Sequence, residues 1–433
     1  MSIRRSLINL ESVSLCLIIL MASTLWFFED ILNMHFLVFG IMMLSMSFIL
    51  VRKVKFVRFS NVLLLFGLSI LISIGIKGAT LRIIYRATVF ILLLLYSVMA
   101  DFKINTLFKA RKFLVFCGVF TSVTIIAQFL LGNTFNSIYY RMMKSTAQTE
   151  AMFYATRGYY AGLFTKPHDA AALVSFAIVA LLIEKWDTAS KKQMIIPLLM
   201  FIPLLLTGKR AIIVLVVVAL FILRTLAQLA KKRWLNVLAM VVGIGVLAYV
   251  AIWYIGRSQN NVLFTRFYSL INGETSLFDN TRWRLWSDAW NLWTENPIFG
   301  IGWEQFAGLT TSKLSYSRSH NVNMDYLQML CETGIVGFIL MITPIMCMFK
   351  RAISLCRYVV KTGSFAQQRN IILFAVYIQI FILMYALIEV PFYSITYFTF
   401  YILSCIIINT FYPSFRRQKT LLKNRLLVGG RRI

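Results

Sequence analysis

Three short stretches of this 433-residue chain hold side chains able to do chemistry. Ser319-His320-Asn321 precedes DYLQMLCETG, in which Asp325 and Glu332 stand inside an apolar run. TRWRLW carries Arg282 and Arg284, and LTGKRAIIVLV sets Lys209 and Arg210 at the start of an apolar segment. A neutral imidazole is the natural proton acceptor near pH 7, and guanidinium groups clamp a diphosphate with paired N–H donors. A base beside cations therefore suits displacement of an anionic leaving group. Each stretch also has a structural reading. A lone histidine is more often packed than catalytic, Lys209 and Arg210 suit snorkelling anchors, and Arg284 with Asp288 four residues on makes a solvated helix pair. Of the other two histidines, His35 lies in an apolar run and His168 in Pro167-His168-Asp169. Both are read as structural.

The elements that must position these groups follow from composition. At 59% hydrophobic and 14% charged, the chain exceeds the roughly 45–50% apolar content of soluble domains. It reads as an all-α polytopic membrane protein. Apolar runs near 20 residues, the length that crosses about 30 Å of hydrocarbon, number about twelve. They fall near 12–28, 31–51, 60–76, 83–100, 112–132, 168–184, 193–207, 210–230, 234–256, 325–349, 370–389 and 391–412. The first lacks a small-residue cleavage site and is read as a retained anchor. With both termini cytoplasmic, most of the 44 Lys and Arg fall on the cytoplasmic side, as the positive-inside rule requires. The net charge of +28 is then mainly topological signal, and no basic, aromatic-interleaved soluble domain exists to bind nucleic acid. The six cysteines lie in spans or on the cytoplasmic side, without a CxxC.

Residues 1–433 thus form one integral membrane domain with two long extracytoplasmic loops, 132–167 and 257–323, and a basic cytoplasmic tail, 413–433. Loops of such length are usually functional or disordered. The first holds Tyr139, Tyr140, Tyr154, Tyr159 and Tyr160, which suit either carbohydrate stacking or interfacial packing. In the second, FDNTRWRLWSDAWNLWTENPIFGIG predicts a helix with Asp279 or Asn280 as N-cap and Asn296-Pro297 as stop. Successive 100° steps gather Trp283, Trp286, Trp290 and Trp293 in an arc of about 20–100° from Arg282, with Arg284, Asp288, Asn291 and Glu295 opposite. Such a helix suits the outer membrane interface. Arg282 sits in its first turn, where a cation opposes the helix dipole. An anionic ligand would explain it.

Four pieces, RGYYAGLFTKPHDAAAL (157–173), TGKRA (207–211), TRWRLWSDAWNLWTENPIFGIG (281–302) and SHNVNMDYLQMLCETGIVG (319–337), resemble the O-antigen polymerase and O-antigen ligase family in their usual order. PxFGxG together with HN and YLQxLxExG is the more specific part. Two departures stand out: three extra residues separate HN from YL, and His168 replaces the Asn common after Pro167. The resemblance implies a GT-C-like helical fold and glycosyl transfer outside the cytoplasmic membrane from a polyprenyl (undecaprenyl) diphosphate carrier. It implies His320 as base on the acceptor hydroxyl and Arg210 and Arg282 on the diphosphate. Arg157, Lys209, Asn321, Tyr326 and Glu332, which fall within the motifs, become candidate substrate-binding residues. Neither cofactor nor metal is implied, and the displacement is expected to invert.

The leading expectation is a polymerase of lipid-linked repeat units for O-antigen, capsule or exopolysaccharide. The alternative is a ligase delivering finished glycan to lipid A core, wall polymer or protein. A chain-length regulator and a flippase are partners implied by the resemblance alone. A transporter would need paired charges at mid-membrane in corresponding halves, whereas the distinctive residues here concentrate in one outer loop. His320→Ala and Arg282→Ala are each expected to abolish transfer with membrane insertion intact, and Arg284→Ala to be mild. Near-normal glycan from the His320 variant removes that residue from the mechanism.

Overall fold

A computed structural model describes residues 2–26, 35–50, 60–99, 102–184, 195–231, 280–310 and 321–429. Every regular element among them is helical. In order these are α1 (Ser2–Trp26), α2 (His35–Leu50), α3 (Leu64–Lys77), α4 (Leu81–Met99), α5 (Ile104–Leu131), α6 (Asn133–Tyr140), α7 (Ser145–Ala155), α8 (Pro167–Glu184), α9 (Ile195–Leu199), α10 (Phe201–Leu206) and α11 (Arg210–Ala230). After them come α12 (Asn280–Glu295), α13 (Phe306–Leu309), α14 (Asp325–Thr362), α15 (Arg369–Tyr385) and α16 (Ile395–Gly429). Seven helical stretches are long and apolar enough to cross a membrane, and four shorter apolar ones accompany them. Each falls on one of the predicted runs. The run at 234–256 lies outside the described residues, as does His320.

The described parts of the two loops are largely helical. Residues 133–155 form α6 and α7, whose small core holds Tyr139, Tyr140, Met143, Ala147 and Ala151. Tyr139 and Tyr140 are buried, so they fold the hairpin instead of presenting rings to a sugar. In the second loop α12 begins and ends where its cap and Pro297 signals predict. Its tryptophans do not act as one face. Trp286 and Trp293 turn toward a core of Leu285, Ala289, Ile301, Phe306, Val322 and Cys331, while Trp283 and Trp290 stay exposed. At the other end of the chain α16 continues through Pro413 to Gly429. Residues 413–429 are therefore the end of a helix, with Phe415 buried and Tyr358 Oη donating to Gln418 at 3.0 Å.

The contact that positions α12 is made by the two glycine motifs. PIFGIG (297–302) lies along CETGIV (331–336): Ile301 and Gly302 donate to the carbonyls of Cys331 and Glu332, and Ile335 and Val336 donate to those of Pro297 and Ile298, at 2.9–3.3 Å. Gly334 breaks α14 with φ 64 and ψ −173, a conformation open essentially to glycine alone. A Cβ on Gly334 would meet the Ile298 carbonyl oxygen at 2.3 Å, and one on Gly300 (φ +69) would meet the Glu332 backbone at 2.4 Å. The Glu332 side chain completes the joint by accepting from the Glu304 amide at 2.7 Å, the Phe306 amide at 3.2 Å and Gln328 at 3.2 Å. Substituting Ala for Gly334 should cost about 1–3 kcal/mol from backbone strain alone, before the clash. Gly308→Ala, where a Cβ meets nothing within 4 Å, is the neutral control. Thermal unfolding of both purified variants checks this, and equal melting temperatures would refute the joint's importance.

Candidate active site

Bonds between distant elements collect the ends of many helices at one end of the bundle. The start of α14 is tied to the α15–α16 turn, because the Asp325 amide donates to the carbonyls of Ala386 and Glu389 and its carboxylate accepts from the Phe392 amide at 2.8 Å. Tyr397 Oη donates to the His168 carbonyl at 2.7 Å, bringing in the start of α8. Arg86 of α4 reaches the Glu304 carboxylate at 2.6 Å and the Tyr393 carbonyl. Lys77, ending α3, donates to Asn296 at 3.0 Å. At the opposite end stand the pairs Arg111–Glu184 and Arg351–Asn409.

In this gathering Arg282 lies 3.5 Å from Glu389, with about a third of each side chain exposed. An exposed pair at such separation contributes no more than about 1 kcal/mol. A more highly charged anion displaces it readily. Lys209 lies over the rings of Tyr154 and Tyr159, at 4.8 and 5.7 Å from their centroids. Burial holds its ammonium below the ordinary lysine value, against the opposing pull of Glu389 and Asp169. Burial likewise pushes the Glu389 carboxyl above the ordinary value, against Arg282, Lys209 and Lys166. Arg210 is the first residue of α11, where free N–H groups and the helix dipole favour anions. The tyrosines of the first loop thus cradle a cation.

Beside this cluster is a cavity of about 200 Å³. Arg86, Lys166, His168, Asp169, Asn321 and Glu389 supply its polar lining, with Tyr385, Tyr393 and Tyr397 among the rest. Asn321, bonded to His320 in the chain, is exposed there. The segment Tyr160–Asp169 is held against it by Gln128 of α5, whose Oε1 accepts from the amides of Ala161 and Gly162 at 2.8 Å each.

The structure therefore brings Lys209 and Arg282 together and sets Asn321 on the adjoining cavity. Other expected residues do different work. Glu332 is fully buried and serves the glycine joint, as it must, since a bare buried carboxylate costs several kcal/mol. Tyr326 Oη donates to the Leu383 carbonyl at 3.0 Å. Arg157 is exposed and stacks on Phe153 at 3.7 Å. Glu389, Asp169, Lys166 and Arg86 were not picked out from sequence. Glu389 had one signal, an acid closing an apolar run in a chain with only 16 Asp and Glu.

Residues 195–342 match the family described as O-Antigen ligase. Over that segment the chain is similar to the O-antigen ligase family. A comparison with the curated proteins finds no match. The family domain contains Lys209, Arg210, Arg282 and Asn321, whereas Arg86, Lys166, His168, Asp169 and Glu389 lie outside it. With its apolar helices, the chain is a multi-pass membrane protein whose family domain implies glycosyl transfer on lipid-linked glycan.

Because Glu389 holds up the pKa of Lys209, Glu389→Gln lets burial depress it further. Inorganic pyrophosphate binding to the purified full chain should then fail at a lower pH than in the wild type. An unchanged upper pH limit would mean that Glu389 does not act on Lys209.

Proposed function

We propose that the protein polymerises oligosaccharide repeat units carried on polyprenyl diphosphate, working on the outer face of a bacterial cytoplasmic membrane. The observation that carries this reading is the convergence of Lys209 and Arg282 on Glu389, beside a polar cavity walled in part by Asn321. The cations, with Arg210 at its helix N-terminus, hold the donor's diphosphate. His320 takes the proton of the acceptor hydroxyl. The freed oxygen attacks the anomeric carbon from the face opposite the diphosphate, and the sugar–diphosphate bond breaks with its electron pair leaving on the lipid diphosphate. One displacement inverts the anomeric centre. Cations already fixed beside the leaving group need no rearrangement as charge develops, which is where such electrostatic stabilisation acts.

The proposed topology has twelve spans and both termini in the cytoplasm. The basic runs 103–112 and 350–369, which contain Arg111 and Arg351 at the bundle end away from the site, support a cytoplasmic placement of that end through the positive-inside rule. A GT-C-like architecture, a chain-length regulator and a flippase complete the proposal by resemblance. The matched family, O-Antigen ligase, favours a second reading, ligation of finished glycan to another acceptor. Both reactions break the same bond. Cells lacking the protein decide between them: a polymerase predicts accumulation of single repeats and loss of long chains, a ligase predicts full-length chains retained on the carrier. Unchanged glycan size and linkage would remove both.

A further inference from the structure

The cation cluster and the cavity share one wall, Glu389, which faces Arg282 on one side and lines the cavity on the other. A diphosphate on Lys209 and Arg282 would leave the cavity open to a second ligand. Two carboxylates, an imidazole, an amide and two cations line that space, so an acyl chain would lay apolar surface against polar and charged groups, which is unfavourable even where they keep partners within the protein. A hydroxyl-rich ligand satisfies them. Drug-sized ligands need cavities of about 300–1,000 Å³, and about 200 Å³ holds one sugar ring, not a whole repeat unit.

Resting on the glycosyl-transfer reading above, we infer that this cavity is the acceptor subsite, where Asp169, His168 and Asn321 hold the terminal sugar of the receiving glycan. Asp169 and His168 stand side by side at the start of α8, with His168 Nε2 3.8 Å from Asp169 Oδ1. A carboxylate next to a ring nitrogen reads two neighbouring hydroxyls, one as donor and one as either partner. Their backbone is fixed by Lys166, whose carbonyl accepts from the Asp169 amide, and by Tyr397 on the His168 carbonyl. Asn321 is the one polar lining residue named here that comes from the family domain. The others come from outside it. Donor chemistry and acceptor choice are thereby divided between the shared segment and the rest of this chain.

The test uses the purified full chain and two probes: inorganic pyrophosphate, and the soluble oligosaccharide released by mild acid from the source cells' own carrier lipid. Wild-type protein should bind both at once, with saturation-transfer NMR showing the terminal ring in contact with protein. Asp169→Asn should weaken oligosaccharide binding at least tenfold while pyrophosphate affinity, compared well below the pH at which Lys209 loses its proton because Asp169 also bears on that group, stays within twofold. Asn321→Ala, at an exposed side chain that folding does not need, should do the same. Displacement of the oligosaccharide by pyrophosphate, contact through an internal ring, or wild-type sugar affinity in both variants overturns the subsite. A wild-type protein that binds the sugar but never consumes carrier-linked glycan overturns the transferase reading and, with it, the acceptor role. One that transfers normally while the variants bind normally overturns the subsite alone.

Discussion

Two backbone segments pass so closely at Gly300 and Gly334 that neither position admits a side chain, and the geometry of the candidate site hangs from that approach. PIFGIG can lie against CETGIV only because both glycines take positive φ. Once joined, α12 is held over the start of α14, and Arg282 is carried to the mouth of the bundle. Glu332 closes the joint from below, and Gln328 links it onward by accepting from the Val322 amide at 3.2 Å. The chain that runs from Asn321 into α14 is thus set by the same network that sets Arg282. Asp325 does the corresponding work for Glu389 by gripping the α15–α16 turn with backbone and carboxylate.

Strength is distributed unevenly across these contacts. The Glu332 side of the joint is made of buried bonds whose loss leaves desolvated groups unpaired, at about 1–3 kcal/mol each. The Arg282–Glu389 pair is partly exposed and worth no more than about 1 kcal/mol. A rigid scaffold therefore presents cations with only a weak hold on their internal partner. That is the arrangement a site needs if an incoming diphosphate must replace a carboxylate without disturbing the fold.

The sequence expectations failed where neighbours, not periodicity, decide exposure. Four tryptophans within one arc of α12 looked alike, yet the helix docks with Leu285 and Ala289 innermost. Trp286 and Trp293 flank that contact, and Trp283 and Trp290 are rotated out of it. Tyr139 and Tyr140 suited stacking and packing equally by sequence, and the closure of α6 on α7 decides for packing. Glu332, a candidate for substrate by motif and for a polar partner by its place near the membrane mouth, has its partners in the amides of Glu304 and Phe306, which carry no side-chain signature.

Composition, apolar run length and the distribution of Lys and Arg were enough to establish a helical membrane protein and the approximate limits of its helices, because burial in lipid demands them locally. Asp279 or Asn280 as cap and Asn296-Pro297 as stop bracketed α12, because the ends of a helix are set by local backbone hydrogen bonding. The family resemblance rested on motifs that can be read along the chain. What only the tertiary structure decided is which charges meet. Lys209, Arg282 and Glu389 are far apart in sequence, and the cavity draws on α4, α8, the turn after α15 and the residue following His320. Those meetings depend on how helices pack and where backbone can approach backbone, and no local spacing records them.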